Sequence, residues 1–184
     1  MRRIIGFSLS IASLLVANTA WSHALFDTNK TIKPRSNDDD LKTGPCGDIP
    51  ASEDDTNRVS LIAGEKIDLH WVETIDHPGW FVLSFSPDGE NDFDQNILAE
   101  KIIDDQNTAV SRSDPSTHHK FSHKITVPNV ECEECSFQLI QVMTDRNPPT
   151  NYYSCADIRI VKSNEDKPSA PENLEVMQIE RNDQ

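Results

Sequence analysis

Short bursts of alternating apolar and polar residues, separated by turn residues, run along most of this 184-residue chain. In Lys66–Val72, Ile67, Leu69 and Trp71 alternate with Asp68 and His70, the period-two pattern of a strand with one buried face. The run Trp80-Phe81-Val82-Leu83-Ser84-Phe85 reads as a strand between the turns Pro78-Gly79 and Pro87-Asp88-Gly89. Val59–Ile62, Lys120–Val127, Ser136–Met143 and Ala156–Val161 supply further strands, and Asn96–Ile103 fits a strand or a short helix. The polar, turn-rich stretch Asp27–Ala51 is expected to form a long irregular loop, and Asp104–Ser116 a second. Six or seven short strands joined by turns indicate an all-β fold, an antiparallel β-sandwich with long irregular loops. No internal repeat and no second domain is evident.

The first apolar segment has a different character. Arg2 and Arg3 precede the mostly apolar Ile4–Ala17, and Ala20-Trp21-Ser22 places small residues at −3 and −1 of a cleavage site. Residues 1–22 therefore read as a secretory signal peptide. Cleavage after Ser22 makes His23 the first residue, whereas cleavage after Ala24 discards it. The remaining 162 residues suffice for one domain with a real core. That domain is expected over residues 23–161. The charged segment 162–184, with Pro168 and Pro171, is expected to be a flexible tail. No later stretch approaches the roughly 20 apolar residues of a membrane span. The expectation is a monomer in the periplasm or outside the cell, without stable membrane insertion.

Charge and cysteine usage narrow the partners. The formal charge is −14, and removing Arg2 and Arg3 with the signal peptide moves it to −16. Such acidity argues against nucleic acid or an anionic membrane surface. Four cysteines after an export signal favour disulfides. Cys132-Glu133-Glu134-Cys135 has the spacing of a zinc knuckle or a redox pair. It lies between strand-like runs without further ligands, however, and reads as a small disulfide at a β-turn. Cys46 and Cys155 then remain to join an early loop to the last strand.

A processed His23 would carry an α-amine beside its imidazole, a pair able to chelate one transition-metal ion. His77 leaves a strand end in the turn before Pro78-Gly79, where its ring can reach a surface site. Three nitrogens of this kind suit copper and leave coordination positions open. Zinc is the chemical rival, and a surface turn histidine the plainer alternative for His77.

These residues carry a family likeness. The Ser22-His23-Ala24 junction, the interval Trp71-Val72-Glu73-Thr74-Ile75-Asp76-His77 followed by Trp80-Phe81, and Asn151-Tyr152-Tyr153-Ser154-Cys155-Ala156-Asp157-Ile158 resemble lytic polysaccharide monooxygenases, in particular small bacterial proteins related to the chitin-active members. The likeness covers most of residues 23–161. It implies an immunoglobulin-like or fibronectin-like sandwich with a copper site formed by His23 and His77. Tyr152 would stand on the axial side, or Tyr153 if the strand faces the other way. It also implies an exported enzyme that oxidatively cleaves a polysaccharide with electrons from an external donor. The segment between His23 and His77 and the turn after His77 are short for that family. A non-enzymatic copper-binding or copper-delivery protein, and a structural or carbohydrate-binding sandwich, are therefore the alternatives.

Other candidates have plainer readings. Gln138 or Gln141 could donate a hydrogen bond beside the site, and being three apart they face opposite sides of a strand. Asp157 reads as a structural hydrogen-bonding residue, and His70 as exposed. His118, His119 and His123 read as a solvated loop running into a strand. Trp80 or Trp71 could offer an aromatic platform, although both fit the core.

Overall fold

The computed structural model describes residues 23–52 and 58–162. The expected signal peptide and the tail beyond Lys162 lie outside the described residues. Eight strands are described: β1 (His23–Phe26), β2 (Val59–Ile62), β3 (Lys66–Ile75), β4 (Gly79–Ser86), β5 (Ile97–Ile103), β6 (His119–Thr126), β7 (Cys132–Met143) and β8 (Thr150–Val161). They form a three-stranded sheet, β1-β3-β6, and a five-stranded sheet, β2-β8-β7-β4-β5. This is a β-sandwich with long loops, as the strand pattern indicates, and an immunoglobulin-like one, as the family likeness implies. One pair departs from antiparallel order, since β2 runs parallel to β8.

The alternation that marks the strands also builds the core. Leu69 and Trp71 from β3 meet Phe81, Leu83 and Phe85 from β4, with Phe137 and Leu139 from β7 and Ala156 and Ile158 from β8. Trp71 lies at the centre, stacked on Phe121 at 5.6 Å and edge-on to Phe81 at 5.4 Å. It is therefore a core residue and not a surface platform. Trp80, one step out of phase with Phe81, is half-buried beneath the ammonium of Lys101, 4.7 Å from its ring centre.

One sequence expectation is corrected, and one strand is added. Cys132 and Cys135 do form a disulfide, but within the first residues of strand β7 and not at a β-turn. The register with β8 shifts between them, so the bridge spans a bulge in the strand. His23–Phe26 also forms a strand that the sequence pattern did not suggest. Its backbone pairs with β3, and the Phe26 amide donates to Ser154 Oγ on β8 at 3.3 Å.

The long loop 27–52 is fastened at both ends. Cys46 is bridged to Cys155. Arg35 is almost wholly buried and spreads its guanidinium over Asp157 Oδ1 (2.8 Å), Ser136 Oγ (2.8 Å), Glu90 Oε1 (3.1 Å) and the carbonyls of Gly89 and Ile49. Asp157 is thus an anchor for the loop, placed far along β8 from Tyr152.

Candidate metal centre

β3 brings polar groups to one end of the sandwich. Its inward phase runs Leu69, Trp71, Glu73, so the pattern that buries a tryptophan also buries a carboxyl two residues later. Glu73 is 0% exposed and stands between Ala24 of β1 and His119 of β6. Its Oε2 lies 2.8 Å from His119 Nδ1, and its Oε1 accepts from Gln141 Nε2 at 2.6 Å. Asp104, directly after β5, brings a second carboxyl against it. Burial first, and the facing Asp104 charge second, push the Glu73 pKa up to about 9. Burial raises Asp104 as well.

His119, 3% exposed, is held from both sides. Its Nε2 lies 3.1 Å from the Thr108 carbonyl and 2.9 Å from Thr108 Oγ1. Ligand atoms of Glu73, Asp104 and His119 all lie within 4.8 Å of one another, so these side chains are able to hold a metal ion. The expectation that His119 belongs to a solvated histidine cluster is therefore corrected. Across the strand pair Glu73 faces it, and its ring turns inward over the edge of Phe121. His118 and His123 are half-buried, and so is His70, which the polar phase of its strand suggested would be exposed.

His77 stands just beyond the end of β3. Its Nδ1 lies 2.8 Å from Asp145 Oδ2, and its backbone amide donates to the Glu73 carboxyl. The register of β1 on β3 sets the His23 backbone opposite Ile75, with an irregularity between His23 and Ala24. The backbones of residues 23 and 77 therefore share one end of the three-stranded sheet.

Tyr152 and Tyr153 separate as strand alternation requires. Tyr152 is 1% exposed, faces inward opposite Gln141, and has Lys42 Nζ 5.3 Å from its ring centre. Tyr153 faces outward, its amide donating to the Leu41 carbonyl and its ring packed on Gly44. Gln141 shares the inner face with Tyr152, whereas Gln138 lies on the outer face and binds the Pro45 carbonyl and Ser84 Oγ. Glu73 and Asp104 had not been singled out in the sequence. Extending the Leu69–Trp71 phase by one step identifies Glu73, but nothing local marks Asp104, which comes from a loop end.

The sandwich and its polar end define an all-β protein with side chains suited to a metal. The family described as "Lytic polysaccharide mono-oxygenase, cellulose-degrading" matches residues 17–158, and the chain belongs to it. Among solved structures it is similar to a lytic polysaccharide monooxygenase from Thermobia domestica in the Cu(I) state. The identity there is 20%, the TM-score 0.48, and 66% of this chain and 78% of that one are covered. It is also similar to one from Photorhabdus luminescens (16% identity, TM-score 0.39, 66% and 68% covered). A third, from Streptomyces lividans, shows 13% identity and a TM-score of 0.33, with 55% of this chain and 58% of that one covered. No curated protein sequence matches the chain. Among the described residues, no helix is long and apolar enough to cross a membrane.

Proposed function

We propose that this chain is an exported copper protein that oxidatively cleaves a polysaccharide, with His23 as its processed first residue. In this reading the α-amine and ring of His23 and Nε2 of His77 would hold the metal, with the buried Tyr152 as the aromatic side chain on its protein side. Copper held there supplies one-electron chemistry, drawn from an external donor, that activates dioxygen or hydrogen peroxide toward a glycosidic C–H bond.

The observation that carries the reading is the hydrogen bond between His77 Nδ1 and Asp145 Oδ2 at 2.8 Å, on a turn beside the backbone of residue 23. A carboxylate accepting the Nδ1 proton leaves the lone pair on Nε2 and fixes the ring's direction, the outer-shell arrangement found around metal-bound histidines. The chain's own residues do the rest of the positioning. Glu73 accepts the His77 amide, and Gln141 holds Glu73 in turn. Family membership supports a polysaccharide as the substrate class.

Mass determination of the exported protein, with copper and after chelation, tests the site. The expected chain begins at His23 and retains one copper, which His77→Ala releases. A chain beginning at Ala24 overturns the reading. Incubation with chitin or cellulose, reductant and peroxide is then expected to release oxidised oligosaccharides. Tight copper binding without such products would select copper delivery, the alternative favoured by the short Asp76–Pro78 connection between β3 and β4.

A further inference from the structure

We propose that Glu73, Asp104 and His119 form a second metal site, separate from the His23–His77 pair, that takes a borderline divalent cation such as Zn(II) through one oxygen of each carboxylate and Nδ1 of His119. The three ligand atoms lie within 4.8 Å of one another. Zinc bound to oxygen and nitrogen at about 2.0–2.2 Å requires neighbouring ligand atoms about 3.4 Å apart in a tetrahedral site. Small side-chain rotations close the difference.

The state of His119 is the first argument. A carbonyl oxygen has no proton to give, so the contact with the Thr108 carbonyl at 3.1 Å places a proton on Nε2. The inward nitrogen, Nδ1, then faces Glu73 Oε2 at 2.8 Å. An imidazole pinned through one N–H to a backbone carbonyl, with its other nitrogen turned toward carboxylates, has the outer-shell support typical of a metal ligand. A histidine serving only to neutralise Glu73 would not need two carboxyls on its inner side.

An unsatisfied polar atom is the second argument. Oε1 of Gln141 is buried with no hydrogen-bond partner among the described residues, and the Asp104 carboxyl meets that of Glu73 in a carboxyl–carboxyl hydrogen bond that depends on Glu73 keeping its proton. Gln141 is 2% exposed and touches the cluster through its Nε2, 2.6 Å from Glu73 Oε1. A buried polar atom left without a partner is costly, and a bound cation with its retained water relieves that cost. A cation also compensates two carboxyls that the fold presses together away from solvent. Asp104 is the half-buried member, at the start of the loop after β5, so the route in passes over it.

Two features separate this site from the proposed copper site. It lies on the inner face between the sheets and uses carboxylate oxygens, hard ligands that suit zinc or manganese better than copper(I). It also needs no free N-terminus, so it survives any processing of the chain.

The test begins with the exported protein already carrying one equivalent of copper, titrated with Zn(II) in a calorimeter. One further equivalent is expected to bind. His77→Ala is expected to lose copper and keep this zinc. Asp104→Asn is expected to keep copper and lose zinc affinity by more than the roughly 10–100-fold that outer-shell changes cost. In the wild-type protein, imidazole ¹⁵N spectra are expected to show the His119 Nδ1 resonance move on zinc addition, which needs no variant. Absence of a second equivalent, a zinc site lost with His77→Ala but indifferent to Asp104→Asn, or an unmoved His119 Nδ1 would each overturn the proposal. Failure of the copper site alone, seen as copper binding indifferent to His77→Ala, leaves the zinc result readable on its own.

Discussion

A carboxyl that keeps its proton at neutral pH gives the metal-free protein an uncommon pH response. Glu73 titrates near 4.5 in an unfolded chain and near 9 when folded, through burial and the facing Asp104. Below pH 4.5 both states hold the proton and stability is unaffected. Between about 4.5 and 9 only the folded state holds it, so each pH unit costs up to about 1.4 kcal/mol of stability. The metal-free protein is therefore expected to melt at progressively lower temperature as pH rises through this window. Glu73→Gln, which copies the protonated shape, is expected to flatten the slope in melting curves recorded from pH 5 to 9. At the neighbouring turn, Asp145→Ala removes the acceptor of the His77 Nδ1 proton. Copper affinity measured by competition titration is expected to fall by roughly 10–100-fold, with the fold intact. The sequence made His77 visible through its interval from Trp71, but Asp145 sits 68 positions away and only the β3–β4 turn's approach to the end of β7 pairs them.

At the level of elements, strands were legible where alternation was strong and obscure where it was short or interrupted. β3 declares itself through Ile67, Leu69 and Trp71, and its continuation to Ile75 follows from the same phase. β1 has only four residues and depends on β3 and Ser154 for its backbone partners, so no periodicity can reveal it. β7 begins at Cys132 because a bulge accommodates the bridged cysteines inside the strand. The anchor at Arg35 was equally hidden, since its partners come from positions 49, 89, 90, 136 and 157. Arg35→Ala leaves Asp157, buried at the strand, without its cation. A loss of about 3–5 kcal/mol is expected, or roughly 6–20 °C in melting temperature, read by calorimetry. Gly79 opens β4 against the Val142 carbonyl, leaving no room for a Cβ, which explains why the Pro78-Gly79 turn leads directly into paired strand.

For the whole molecule, the two disulfides differ in what they hold. Cys46–Cys155 closes a span of 109 positions and ties the long loop to the last strand, whereas Cys132–Cys135 closes a span of 3. Chain-entropy reasoning assigns about 4.7 kcal/mol to a loop near 100 residues and about 2 to one of four. Replacing Cys46 and Cys155 together by Ala is expected to lower the urea midpoint more than replacing Cys132 and Cys135. A smaller effect from the long bridge would mean that Arg35 alone suffices to fasten the loop.

The hydrogen bond from Phe26 to Ser154 joins positions 128 apart. A chain made from its N-terminus delivers β1 and its partner β3 early and β8 at the end, so β1 can pair with β3 long before its tie to Ser154 can form. Non-local pairing of this kind is slow to form. The contacts of this end of the sandwich with Ser154 and Asp145 are thus among the last to form, and any metal held there is fixed only once the closing strands are in place.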